Sequence, residues 1–238
     1  MKVLVLIIAL SVCATTASAC RLALALGLDV SGSVDASEYR LQLNGLSTAL
    51  LRPAVIESLL ATPQTPVEIA VYEWSGPNHQ ITLVEWHEIK TLADIQRLAS
   101  DLRMVNRAPA NPSTALGTAM QYGAALLRER DHCWALTLDI SGDGKSNTGP
   151  RPQDVQTSSD FNRITINALV VGGDDLGQAD RRQVQIGELQ SYYDAYVIRG
   201  PGAFVETALG FNEYADSMER KLLRELKSFA LSARPIDQ

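Results

Sequence analysis

Leu22-Ala23-Leu24-Ala25-Leu26-Gly27-Leu28-Asp29-Val30-Ser31-Gly32-Ser33 is the stretch on which the reading of this chain turns. From Leu22 to Leu28 it is continuously apolar, the pattern of a central strand buried on both faces of a parallel sheet. From Asp29 to Ser33 it sets one carboxylate and two hydroxyls on one tight turn at the strand's carboxyl end. In open α/β sheets, loops at that end of the strands form the binding crevice. A helix should follow, because Asp35 and Glu38 stand in capping-box spacing. Tyr39, Leu43, Leu46 and Leu50 then repeat at helical spacing until Pro53 interrupts.

Further along, Val67 to Trp74 and Gln80 to Trp86 read as strands around the turn Ser75-Gly76-Pro77-Asn78. Leu92, Ile95, Leu98 and Leu102 mark a second helix, and Leu116, Met120, Ala124 and Leu127 a third. Trp134 to Ile140 is the next strand, followed by a glycine-rich loop from Gly142 to Pro150. Ile164 to Val171 is β-branched and ends in Gly172-Gly173-Asp174-Asp175. A helix is expected from about Gln178 to Tyr192, then a short strand at Tyr196 to Ile198. Beyond Gly200-Pro201-Gly202, Tyr214, Met218, Leu222 and Leu226 share one helical face. The charged residues between them, Glu219, Arg220, Lys221, Arg224 and Glu225, predict a solvated outer face. Strand and helix alternate after one early hairpin. The fold class is therefore α/β: a single doubly wound, mostly parallel open sheet with one antiparallel edge strand and helices on both faces.

Composition excludes several alternatives. At 238 residues, 46% hydrophobic and 20% charged, the chain is too apolar for a disordered one and large enough for a single sizeable core. A net charge of −6 with no basic stripe argues against binding nucleic acid. Three Cys and three His argue against a Cys/His zinc cluster. The amino terminus reads as a secretory signal over residues 1–19. Lys2 precedes the apolar run Val3 to Leu10, and Ala17-Ser18-Ala19 forms a cleavage site. Residues 20–238 then form the domain, expected in the periplasm or outside the cell, with no later transmembrane run. Cleavage removes Cys13 and leaves Cys20 and Cys133, an even count that favours a disulfide in an exported chain. Lipidation of Cys20 is the alternative, against which Ala17 stands where a Leu-like residue is wanted.

Two further segments reach the rim carrying Asp29. Ser113-Thr114-Ala115-Leu116-Gly117 opens the helix before the fourth strand, and Gly142-Asp143-Gly144 follows that strand. Asp29, Ser31, Ser33, Thr114 and Asp143 thus bring oxygen donors from three loops to one sheet edge. Mg²⁺ takes oxygen ligands and keeps several waters, so such a set suits it, with Mn²⁺ or Ca²⁺ as alternatives. Taken singly, each piece has an ordinary reading as a helix cap or a turn.

On these residues the chain resembles a von Willebrand factor A domain with a metal-ion-dependent adhesion site. Within that superfamily it is similar to an uncharacterised bacterial exported family. That similarity rests on Ser-Val-Asp-x-x-Glu-Tyr at Ser33 to Tyr39, Ser-Gly-Asp-Gly at Ser141 to Gly144, and Gly-Pro-Gly-Ala-Phe-Val at Gly200 to Val205. The resemblance implies that Ser31, Ser33 and Thr114 ligate the metal directly, while Asp29 and Asp143 act directly or through water. An acidic residue of a partner protein would complete the coordination. It also implies strand order 3-2-1-4-5-6, which sets Cys20 and Cys133 at the amino-terminal ends of adjacent parallel strands, within bridging distance. The chain departs from the family pattern in one place: the usual Thr-Asp-Gly appears as Gly142-Asp143-Gly144.

Enzymatic readings are weaker. Gly144-Lys145-Ser146 lacks the upstream glycine of a phosphate-binding loop, where Asp139 stands. Enzymes of the haloacid-dehalogenase type carry a second Asp two residues after their Asp nucleophile, where this chain has Ser31. There is no Gly-x-Ser-x-Gly elbow, and His79, His87 and His132 read as surface or strand-edge residues. Asp174 and Asp175 read as turn residues, Asp139 as a hydrogen-bond acceptor beneath the metal loop, and Trp74, Trp86 and Trp134 as packing residues. The expected function is a non-enzymatic, metal-dependent protein-binding module. A metal-dependent hydrolase or phosphotransferase on the same rim, and a structural envelope protein with a vestigial site, are the alternatives.

Overall fold

A computed structural model describes residues 19–172 and 179–232 of the chain. Strand β1 spans Cys20–Asp29. Helices α1, Ala36–Leu50, and α2, Pro53–Leu60, follow it. Strands β2, Val67–Trp74, and β3, Gln80–Ile89, form the hairpin. Then come α3, Leu92–Met104, α4, Leu116–Arg128, and β4, Cys133–Gly142. A short α5, Pro152–Val155, leads to β5, Ile164–Val171. The chain ends with α6, Ala179–Tyr196, β6, Val205–Ala208, and α7, Tyr214–Ser232. The sheet has the order β3-β2-β1-β4-β5-β6 and is parallel except for β3, which pairs antiparallel to β2 at the edge.

The alternation within β1 explains how both faces close. Leu22, Leu24, Leu26 and Leu28 enter the core shared with α1, α2, α3 and α7, whereas Ala23 and Ala25 face the core under α4 and α6. Each buried leucine contributes roughly 1.5–3 kcal/mol relative to an exposed one. The small face lets a large side chain of β2 cross beneath: a Cβ on Gly27 would lie 2.6 Å from the Tyr72 ring, whose hydroxyl donates to Ala119 O at 2.8 Å. Asp35 caps α1 by accepting from Ser37 N and Glu38 N, and Glu38 completes the capping box.

Four expectations are corrected. Pro53 does not end helical structure but opens α2 at its first position, where a missing N–H costs nothing. The segment expected as a strand at Tyr196 to Ile198 is not one: Tyr196 ends α6, and residues 197–198 lead to an isolated bridge from Arg199 to Ile166. Gly200 and Gly202, both at positive φ, turn the chain before it enters the sheet as β6. Lys221 and Glu225, expected on a solvated face, are buried against Asp139 of β4. Trp134, expected to pack, is 55% exposed. Asp174 and Asp175 lie outside the described residues.

Candidate metal centre

β1 ends on Asp29, whose side chain is buried under the turn that follows. Its Oδ1 accepts from Ser31 N at 2.8 Å, while its Oδ2 is buried with no hydrogen-bond partner among the described residues. Gln42 of α1 donates to the Asp29 carbonyl at 3.0 Å, and Val30 N donates to Trp74 O at 2.9 Å, so the turn is held from both sides. Beyond it, the hydroxyls of Ser31 and Ser33 are 3.3 Å apart, and Ser33 Oγ donates to Asp143 Oδ1 at 2.6 Å. Asp143 follows β4, the strand paired beside β1.

Thr114 joins the rim through its backbone. Gly32 N donates to Pro112 O at 2.9 Å, tying the first loop to the segment before Thr114. Thr114 N donates to Asn147 Oδ1 at 2.9 Å, and Asn147 N returns a bond to Thr114 O at 2.9 Å. The second loop is thereby locked onto the third. Of the five residues singled out in the sequence, Asp29, Ser31, Ser33 and Asp143 form one hydrogen-bonded chain. Asp29 faces Asp143 electrostatically, and Thr114 stands on the adjoining loop.

The electrostatics of this cluster are those of an uncompensated acid pair. Burial, then the Asp143 charge, push the Asp29 carboxyl up to about 8, against the opposing Ser31 hydrogen bonds. Burial likewise raises Asp143, with the Ser33 hydroxyl opposing. Two carboxylates, one of them with a buried oxygen that has no partner among the described residues, and three hydroxyl-bearing side chains form a hard, all-oxygen donor set. Such a set can hold a divalent cation, and the cation's charge would relieve the repulsion.

Sequence reasoning missed Tyr193. It projects from α6 beneath the third loop, fully buried, and its hydroxyl donates to Gly144 O at 3.3 Å. A Cβ on Gly142 would collide with that hydroxyl and lie 3.3 Å from Asp29 Oδ2. This accounts for the glycine where the family pattern has Thr: the tyrosine occupies the space a larger side chain would need. Nothing in the local sequence around Gly142 signals a partner 51 positions away. His79 stands immediately before the edge strand β3, where it pairs with the buried Glu73 at 2.9 Å, which also accepts from Tyr39 Oη at 2.8 Å. Beside Asp143 lies a groove of about 300 Å³ lined by Lys145, Val171, Ile186 and Leu189.

Residues 19–230 match the family described as "Protein of unknown function (DUF1194)". The chain belongs to that family. Among curated proteins, no sequence matches it. Solved structures give the fold of this DUF1194 member directly, as that of a von Willebrand factor A domain. Proximal thread matrix protein 1 from the mussel byssus is 17% identical with a TM-score of 0.58, over 88% of this chain and 49% of that one. The same mussel protein has also been solved with a zinc-occupied MIDAS motif, at 18% identity and a TM-score of 0.56, over 88% of this chain and 48% of that one. A von Willebrand factor type A protein from Catenulispora acidiphila is 14% identical with a TM-score of 0.58, over 87% of this chain and 43% of that one. The manganese-loaded TRAP protein of Plasmodium vivax is 16% identical with a TM-score of 0.50, over 85% of this chain and 73% of that one. This chain spans about half the length of the mussel protein.

Proposed function

We propose that this chain is an exported, non-enzymatic protein-binding module whose contact to its partner depends on a divalent cation, Mg²⁺ by preference. Ser31, Ser33 and Thr114 supply hydroxyl ligands, and Asp29 and Asp143 supply charge directly or through water. A carboxylate of the partner completes the coordination. The observation that carries this reading is the buried Asp29 Oδ2, which has no hydrogen-bond partner among the described residues and lies beside a second, half-buried carboxylate, Asp143. An orphaned buried acceptor is costly, and a cation at this rim removes the cost. The cation acts as a Lewis acid that makes a charge-assisted contact. The chain's own residues fix the donors: Asn147 holds the Thr114 loop, Gln42 and Trp74 hold the Asp29 turn, and Tyr193 supports the Asp143 loop.

The zinc-occupied motif of the mussel protein, the manganese-loaded TRAP protein and a pilus adhesin from Lactobacillus rhamnosus GG of the same fold support a metal-dependent adhesive role over a catalytic one. The groove beside Asp143 gives a partner segment apolar area next to the cation. Export is supported by the Cys20–Cys133 disulfide, which engages the sulfur that lipidation of Cys20 would require. The module is tested by affinity capture from an envelope extract on immobilised protein, with Mg²⁺, with a chelator, and with Asp29→Ala. A partner retained only by the wild type in Mg²⁺ supports the reading. Equal capture by all three arms contradicts it, and Asp29-dependent turnover of a phosphate ester favours the enzymatic alternative.

A further inference from the structure

At the end of the sheet opposite the rim, Cys20 and Cys133 stand directly across β1 and β4, Cα atoms 4.5 Å apart, joined as a disulfide. Two more donors crowd this bond. His132 Nε2 lies 3.8 Å from Cys133 Sγ and 3.2 Å from Glu68 Oε1, and one ligand atom from each of the four residues falls within 4.8 Å of the others. Arg130 Nε lies 2.9 Å from the other Glu68 oxygen, an ion pair that leaves Oε1 beside the histidine. Tetrahedral zinc with bonds of about 2.0–2.3 Å requires ligand atoms roughly 3.3–3.8 Å apart. The edges from His132 to Glu68 and to Cys133, 3.2 and 3.8 Å, are close to such lengths, and the others lie within 4.8 Å. The sulfur–sulfur edge is too short, because it is a covalent bond. The sulfurs are buried whereas the His132 side chain is 42% exposed, which gives an ion a path from solvent.

We propose that this cluster is a redox-gated zinc site, closed as a disulfide and opened by a dithiol reductant. In the first step the dithiol is oxidised to its own disulfide, the Cys20–Cys133 bond breaks, and both cysteines become thiols. In the second, Zn²⁺ displaces the two thiol protons, and Cys20, Cys133, His132 and Glu68 become its ligands. The ion then bridges β1 and β4 where the disulfide did, so the floor of the sheet keeps a cross-link in either redox state. Counting cysteines and histidines alone argued against a zinc cluster; the fold adds a carboxylate that the count omits.

The test is cobalt titration of the full chain in its oxidised form and after dithiol reduction, with the dithiol removed anaerobically before metal is added. Thiolate–cobalt charge-transfer absorption distinguishes this site from the all-oxygen rim. The site predicts that absorption at one Co²⁺ per reduced chain, none in the oxidised chain, and displacement by Zn²⁺. It should persist in Asp29→Ala, so failure of the rim reading leaves it standing. His132→Ala should weaken binding by about a hundredfold or more, beyond what losing an outer-shell partner costs. Far-UV circular dichroism follows the fold in each state. A reduced chain that gives no thiolate band, or that loses its fold and does not regain it with Zn²⁺, overturns the proposal.

Discussion

Replacing Lys221 with methionine probes the most demanding arrangement in the fold. The Lys221 ammonium is fully buried, 2.6 Å from Asp139 and 2.7 Å from Glu225, and Glu225 Oε1 also accepts from Asn167 at 2.8 Å. Methionine keeps the apolar stem and removes the charge, leaving two carboxylates in a dry site. Removing one partner of a buried ion pair costs about 3–5 kcal/mol, a large share of a typical domain's 5–15 kcal/mol. Proton uptake limits the loss. Burial already pushes the Asp139 carboxyl up to about 7, with Lys221 opposing and Glu225 adding to the rise. A folded-state value above the unfolded one means that Asp139 contributes most stability below its ordinary range and loses it as pH rises through about 7. Without Lys221 the folded value climbs further, so the variant should go on losing stability above pH 7, where the wild type levels off, by up to about 1.4 kcal/mol per unit. Urea denaturation at about pH 5.5, 7 and 8.5 measures this directly. Lys221→Met combined with Asp139→Leu and Glu225→Gln should recover most of the loss, because the whole charge cluster is then gone. A single variant costing under about 1 kcal/mol at neutral pH, the worth of a surface pair, would refute the reasoning. So would a triple variant no more stable than the single one.

Two further perturbations follow from named contacts. The Cys20–Cys133 bridge spans a sequence separation of 113, so Cys20→Ser with Cys133→Ser should cost about 5 kcal/mol of unfolding free energy in metal-free buffer. Denaturant midpoints of the two forms check it, and coincident midpoints contradict it. Gly142→Ala should cost about 1–3 kcal/mol through its collision with the Tyr193 hydroxyl, and adding Tyr193→Phe should restore part of that. Additive losses in the double variant would show that the two residues do not share the space.

What the sequence made legible was whatever depends on local pattern. The apolar run of β1, the Asp35 capping box and the hairpin around Ser75 to Asn78 each carry their own signal, and each stands where the pattern places it. The segments bearing Asp29, Thr114 and Asp143 meet at one rim because all three flank the carboxyl ends of β1 and β4 or the loop beside them. Long-range contacts were not legible. Lys221 and Glu225 lie on a strongly amphipathic helix, where charge ordinarily means solvent. They are buried because Asp139, far back in the chain, supplies a counter-charge that periodicity cannot see. Tyr193 under Gly142 is the same kind of fact: a partner fixed by topology rather than by spacing. The segment at Tyr196 to Ile198 failed for a different reason, because α6 runs on to Tyr196 and two positive-φ glycines delay re-entry to the sheet.

The central claim is that Asp29, Ser31, Ser33, Thr114 and Asp143 hold a divalent cation. Isothermal titration of the oxidised chain with Mg²⁺ and Mn²⁺, beside Asp29→Ala with its far-UV spectrum checked, tests it most directly. The account predicts one saturable site in the wild type and none in a variant that keeps its fold. A wild type that binds neither ion, or an Asp29→Ala variant that binds as well as the wild type, would contradict it.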